Sequence, residues 1–253
     1  MKLGLFVLFA SLSFSSFQAH AHDEARVSIE METKAPAQAG SVSLRFELVD
    51  LKDKVVLSDQ ELSILHEKKL HLFIFDPALK EFHHEHPVFE NGKWAVSTTV
   101  PVNGNYWVWA QGEIAKDSEE FFAGVQFEVT GGLPANVTPP VLKDLRSGTD
   151  TSSKVTLSNT KIQVKKMTML MLDLSRTDGK KPVITPYLGA AAHVVGVTSD
   201  GDSLIHVHPM ATSKPTQLML HATFLDAGFY RLWVQFIDNG TLKTVPLSVE
   251  VFP

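Results

Sequence analysis

A repeat within the chain limits its fold more than any other feature. Placing His71-Leu72-Phe73-Ile74-Phe75 over His193-Val194-Val195-Gly196-Val197 also places, at the same offset, His84 on His206, His86 on His208 and Pro87 on Pro209. Two inserted residues then bring Gly104-Asn105-Tyr106 onto Gly228-Phe229-Tyr230, Trp109 onto Trp233 and Gln111 onto Gln235. Upstream, a one-residue adjustment sets Leu44, Phe46, Leu48 and Asp50 over Met167, Met169, Met171 and Asp173. A tandem duplication explains these matches together, so the two halves are expected to share one fold.

Each half reads as strands. Apolar and polar residues alternate over 43–49, 93–100, 125–129 and 247–251, and clusters of Gly, Pro, Asn and Asp separate the runs. Long segments of helical period are missing. The Gly-x-Tyr pair at the start of a late strand resembles the tyrosine corner of immunoglobulin-like sandwiches, in which the hydroxyl bonds back to the chain. The expected fold is all-β, with two tandem immunoglobulin-like (cupredoxin-like) β-sandwich domains related by internal duplication. A Gly/Pro-rich stretch over 131–140 and a polar run over 147–153 read as a linker. The expected division is a signal peptide at 1–21, a first sandwich at 22–130, a linker at 131–153 and a second sandwich at 154–253.

The opening MKLGLFVLFASLSFSSFQAHA carries Lys2, an apolar stretch over 3–14 and the small-residue end Ala19-His20-Ala21, the pattern of a secretory signal cleaved after Ala21. Its apolar stretch is too short for a permanent span, and no later segment reaches the roughly 18–20 apolar residues a span needs. The expectation is a periplasmic protein with no transmembrane segment. Its mature chain would begin at His22, where a free amino group and an imidazole make a candidate copper chelate.

The repeated histidines carry the chemistry. In the second half, Asp200-Gly201 lies at the tip of a hairpin and predicts a two-residue type I′ turn. With that tip His193 lies opposite His208 and diagonal to His206. All three rings then share a face with Val195, Val197 and Leu204. Opposite Cβ atoms are about 4.5–5.5 Å apart, close enough for three imidazoles to converge on one ion. In the first half Asp76-Pro77 favours a type I turn, and a four-residue loop over 77–80 sets His71 opposite His86 with His84 diagonal. Phe73, Phe75 and Phe82 complete that face, while His83 and Glu85 point away. The expected metal ligands are therefore His71, His84 and His86 at one site and His193, His206 and His208 at the other. The competing structural reading makes them backbone-bonded rim residues, with His-x-His-Pro ending a strand.

Composition narrows the metal. The chain has 11 His and no Cys, which excludes disulfides, cysteine-ligated clusters and type-1 blue copper. A formal net charge of -5 without basic clusters excludes a nucleic-acid partner. Imidazole suits copper and zinc, and copper heads the affinity order at nitrogen-rich sites, so copper is expected with zinc as the alternative. Met210, His221 and His22 are candidate further ligands. The Met167/Met169/Met171 stripe reads as core because its counterparts Leu44, Phe46 and Leu48 are apolar. His66 reads as a surface residue.

The pattern His, apolar strand, turn, His-x-His-Pro, then Gly-x-Tyr-x-x-Trp-x-Gln resembles that of exported bacterial proteins with tandem immunoglobulin-like or cupredoxin-like domains, some of which accompany copper-handling systems. The resemblance covers most of 25–253. It implies periplasmic metal handling without specifying a role, and its motifs are diagnostic of no enzyme; another periplasmic metal-handling protein is the expected partner. Three functional classes follow: a non-enzymatic metal-binding protein for storage, transfer or sensing; an adhesion or scaffold module with structural histidines; and a zinc hydrolase or lyase. The last lacks an identifiable general acid or base, since Glu81 and Glu85 lie off the histidine face.

Overall fold

The computed structural model describes residues 17–20, 25–135, 145–158 and 161–253, and among these there is no helix. Consequently no helix is long and apolar enough to cross a membrane among the described residues. A short strand, β1 (Phe17–His20), comes first. The first sandwich follows with β2 (Val27–Met31), β3 (Ala37–Gln38), β4 (Gly40–Asp50), β5 (Val55–Val56), β6 (Leu70–Phe75), β7 (Phe82–Glu85), β8 (Val88–Glu90), β9 (Lys93–Val100), β10 (Gly104–Ile114) and β11 (Glu119–Thr130). The second comprises β12 (Ser147–Thr149), β13 (Ser153–Leu157), β14 (Ile162–Gln163), β15 (Met167–Arg176), β16 (Ile184–Thr185), β17 (His193–Thr198), β18 (Ser203–Val207), β19 (Met210–Ala211), β20 (Gln217–Thr223), β21 (Gly228–Asp238) and β22 (Thr241–Phe252).

The duplication is visible in the strand order. One sheet of the first sandwich runs β3-β11-β10-β6-β7, and its counterpart in the second runs β14-β22-β21-β17-β18. The facing sheets run β2-β4-β9-β8 and β13-β15-β20-β19, with β12 added at the edge of the latter. Each sandwich closes on its own apolar core: Phe46, Leu48, Leu72, Trp94 and Val108 among others in the first, and Leu172, Leu220, Leu232 and Val249 in the second. Both tyrosine corners form. Tyr106 accepts the backbone N–H of Val102, and Tyr230 accepts that of Asp226, each at 3.2 Å.

Both histidine hairpins have the register that their sequences predict, with Phe73 opposite His84 and Val195 opposite His206. The turns differ from expectation in one respect. Asp200 does not take the positive φ that type I′ requires, and the Gly201 N–H instead bonds Thr198 O at 2.9 Å. The first hairpin does the same, with Leu79 N–H on Asp76 O at 3.0 Å, and Leu79 and Gly201 are both left-handed. Two different turns were expected, and one four-residue turn serves both copies. Its first residue stabilises it from within, since the Asp76 carboxylate accepts the N–H groups of Lys80 and Glu81 and the Thr198 hydroxyl accepts that of Ser203.

Two further expectations need correction. Part of the linker belongs to the sandwiches. Leu133 bridges Val102, Gly132 is held by Asn103, and β12 pairs with β13, because these polar segments still carry backbone donors that pairing satisfies. On β15, the residues facing the core are Leu170, Leu172 and Leu174, and the methionine stripe faces outward. Because strand period is two, a shift of one residue between the halves exchanges the two faces. The backbone of Phe17–His20, within the expected signal, pairs along the outer edge of β18. Ala21, His22 and most of the signal lie outside the described residues.

The two sandwiches pack sheet to sheet. β6 is buried on both faces: Leu70, Leu72 and Ile74 enter its own core, while Phe73 and Phe75 join Leu79, Trp109 and Phe122 against Val195, Val197, Leu204 and Trp233. Phe82 and Phe75 stack on Trp233 with ring centroids 4.7 and 5.3 Å away. Trp109 Nε1–H donates to Gly201 O across the interface at 3.1 Å. Such aromatic burial contributes on the order of 1.5–3 kcal/mol per fully covered side chain. Gly201 fits only as glycine, since its φ is +83° and a Cβ would stand 2.2 Å from Trp107. Gly179 has a similar φ of +74° with open space around it. Gly201→Ala is therefore expected to lose more stability in urea unfolding than Gly179→Ala. The latter costs only the left-handed penalty of roughly 1–2 kcal/mol, and equal losses would contradict the packing described.

Candidate metal centre

Strand period sets the site. His71 opens β6 on the face that Phe73 and Phe75 present to the other sandwich, and His84 lies beside it on β7, with His86 just beyond. His193, His206 and His208 repeat the arrangement on β17 and β18. In each triad one ring nitrogen per histidine lies within 4.8 Å of the others. The structure thus brings together all six histidines expected as ligands. Met210 sits opposite Met219 on β19, and His221 opposite Met169 on β20, both in the other sheet.

Hydrogen bonds fix the tautomers of His71 and His193. His71 Nε2 lies 3.0 Å from Leu65 O and His193 Nε2 lies 3.0 Å from Tyr187 O, so both nitrogens carry the proton, because a carbonyl only accepts. His84 Nδ1 lies 2.8 Å from Gln235 Oε1, and the Gln235 amide also bonds Thr244 Oγ1 at 3.1 Å. His206 Nδ1 lies 2.5 Å from Gln111 Oε1, while the Gln111 amide bonds the Glu120 carboxylate. The Nε2 atoms of His71 and His193 are therefore donors and their Nδ1 atoms acceptors: His71 Nδ1 faces His84 Nε2 at 2.9 Å, and His193 Nδ1 faces His206 Nε2 at 3.2 Å.

An added proton is disfavoured here. Burial holds His71 down to about 3 and His193 to about 4, with neighbouring imidazoles adding to the effect. His208 falls to about 2, and His84 and His206 lie well below the ordinary value. His86 drops to about 4 through burial and the Lys68 ammonium, and its Nε2 is buried with no hydrogen-bond partner. His208 Nε2 lies 2.8 Å from His193 Nδ1. Tetrahedral ligands 2.0 Å from a metal stand about 3.3 Å apart, so small side-chain movements, outward for the closest pairs, would seat copper or zinc. The outward bonds to carbonyl and amide groups are the outer contacts that orient metal-bound imidazoles.

The centre is shared between the domains. Gln111 of the first sandwich orients His206 of the second, and Gln235 of the second orients His84 of the first. Rings of the two triads approach across the interface, with centroids 5.7 Å apart for His71 and His206 and 5.8 Å for His84 and His193. His66, read from sequence as surface, belongs here: its ring is 3.7 Å from that of His208, centroid to centroid. It sits in a tight turn with φ 50° at His66 and 66° at Glu67, and that turn presents Leu65 O to His71. The same turn recurs at Leu188 and Gly189, presenting Tyr187 O to His193. Leu188 thus occupies the place of His66, and only the second triad gains a fourth imidazole. The repeated Trp-x-Gln could have pointed to the two glutamines. Nothing local in the sequence marks His66.

A family profile described as a domain of unknown function, DUF8832, matches residues 19–131 and 148–252. No curated protein matches the chain in sequence. Among solved structures, the chain is similar to fibronectin(III)-like modules of CbhA from Clostridium thermocellum at 13% identity, covering 88% of this chain and 93% of that one with a TM-score of 0.24. It is also similar to the Escherichia coli adhesin FdeC at 18% identity, covering 93% of this chain and 66% of that one, with a TM-score of 0.27. The chain spans less than two thirds of that adhesin.

Acid should destabilise the metal-free protein through these groups. Their folded pKa values lie below the unfolded value near 6.5, so the unfolded chain binds more protons and stability falls as pH drops from about 6.5 toward 4. Urea unfolding of the wild type across that range is expected to show the loss, and His86→Gln to show less of it. A pH-independent midpoint would contradict burial of neutral imidazoles.

Proposed function

The chain belongs to the DUF8832 family, and from that premise we propose that it is an exported, non-enzymatic metal-binding protein that holds copper, with zinc as the alternative, between its two sandwiches. The observation that carries the proposal is the orientation of the inward ring nitrogens. In each triad the Nδ1 of the first histidine, whose Nε2 is committed to a carbonyl, faces the Nε2 of the second at 2.9 and 3.2 Å, and a nitrogen of the third histidine lies within 4.8 Å of both. Copper is favoured by its place in the affinity order at imidazole sites. Without a thiolate the protein would store, pass on or sense the ion, and a periplasmic metal-handling protein is the natural partner. Export follows from the signal sequence, with cleavage after Ala21.

A second reading is an adhesion or scaffold module whose histidines are structural. It is favoured by the cross-domain bonds from Gln111 and Gln235, which would also serve to lock the sandwiches together. Metal response separates the two. Purified protein titrated with copper(II) and zinc(II) is expected to take up one ion per triad, and a variant with His193, His206 and His208 changed to Ala to lose the second. Gln235→Leu, which keeps every ligand, is expected to weaken binding at the first triad about 10–100-fold. Metal should also raise the thermal midpoint of the wild type by binding only the folded state. Equal uptake by wild type and variants, with no thermal shift, would favour the scaffold.

A further inference from the structure

Away from the triads, the outer face of the β12-β13-β15-β20-β19 sheet gathers thioethers. β15 alternates Met167, Met169 and Met171 with buried Leu170, Leu172 and Leu174, and β20 alternates Met219 and His221 with buried Leu218, Leu220 and Ala222. Register sets Met169 opposite His221, Met171 opposite Met219, and Met219 opposite Met210 of β19. The chain has 7 methionines, and all except Met1 and Met31 lie on this one face.

The fold does not ask for them. The equivalent face of the first sandwich carries Ser43 opposite Ser97, with Arg45 and Val88 each opposite Ala95. Met167 and Met169 are 72% and 49% exposed, so they add little to folding by burial. Antiparallel neighbours stand about 4.5–5.5 Å apart at Cβ, and next-but-one residues along a strand about 7 Å. Unbranched thioethers with three rotatable bonds converge readily from those positions. Thioether ligands select copper(I) over copper(II) and zinc(II).

We propose that this face is a separate soft-metal site, taking copper(I) through Met169, Met171 and Met219 with the His221 imidazole. It is independent of the interdomain triads, since it lies on the opposite sheet of the second sandwich and uses none of their residues.

The test is a titration of the purified protein, labelled with carbon-13 at its methionine methyl groups, with silver(I) as a redox-inert probe and then with copper(I) under reducing conditions. The methyl signals of Met169, Met171 and Met219 are expected to shift together, saturating at one ion, while that of Met31 stays put. A variant with these three residues changed to Leu keeps the surface apolar and is expected to bind silver(I) at this face at least tenfold more weakly, with zinc(II) uptake unchanged. Zinc(II) uptake reports on the triads alone, so failure of either site is visible without the other. Methionine signals unmoved by both monovalent ions, or a Leu variant with the same silver(I) stoichiometry and affinity as the wild type, would overturn the proposal.

Discussion

Each histidine triad is oriented by the other half of the chain. Gln111 reaches from the first sandwich to His206, and Gln235 reaches back from the second to His84, so neither triad is complete in a sandwich standing alone. The exchange is what a two-fold dimer would make, and here duplication has placed both partners in one chain. The rest of the interface serves that register. Trp109 on Gly201 and Trp233 beneath Phe75 and Phe82 close the interface beside the rings, and the burial of His71 and His193 disfavours their protonation. A buried polar cluster of this kind is tolerated only when each group has its partner.

The copies have since diverged where the fold leaves them free. His66 and Leu188 occupy the same position in the same turn, and only one can ligate. The second sandwich alone carries methionines on its outer sheet, where the first has Ser43, Arg45 and Ser97. Divergence is therefore concentrated in residues able to touch a metal, while the tyrosine corners, the hairpin turns and the glutamines remain paired.

Much of the site was legible before any coordinates. Strand period and the repeat placed His84 beside His71 and His206 beside His193, because in a hairpin loop length and alternation determine which side chains share a face. The tyrosine corners were legible for the same reason. What the sequence hid depended on contacts between distant segments. Asp200-Gly201 favours type I′ in isolation, yet the Thr198 hydroxyl and the packing of Gly201 on Trp107 select a longer turn. His66 looked like a surface residue because its neighbours come from the other sandwich. The methionine stripe was misplaced by a one-residue slip, which in a strand exchanges inside for outside.

Copper-edge anomalous scattering from crystals of the copper-loaded protein tests the interdomain centre most directly. The converging ring nitrogens predict one copper peak between His71 Nδ1 and His84 Nε2 and another between His193 Nδ1 and His206 Nε2, about 2.0 Å from each nitrogen, with the Gln235 and Gln111 bonds intact. Imidazoles left in their present positions with no copper between them, and copper found only elsewhere on the protein, would contradict it.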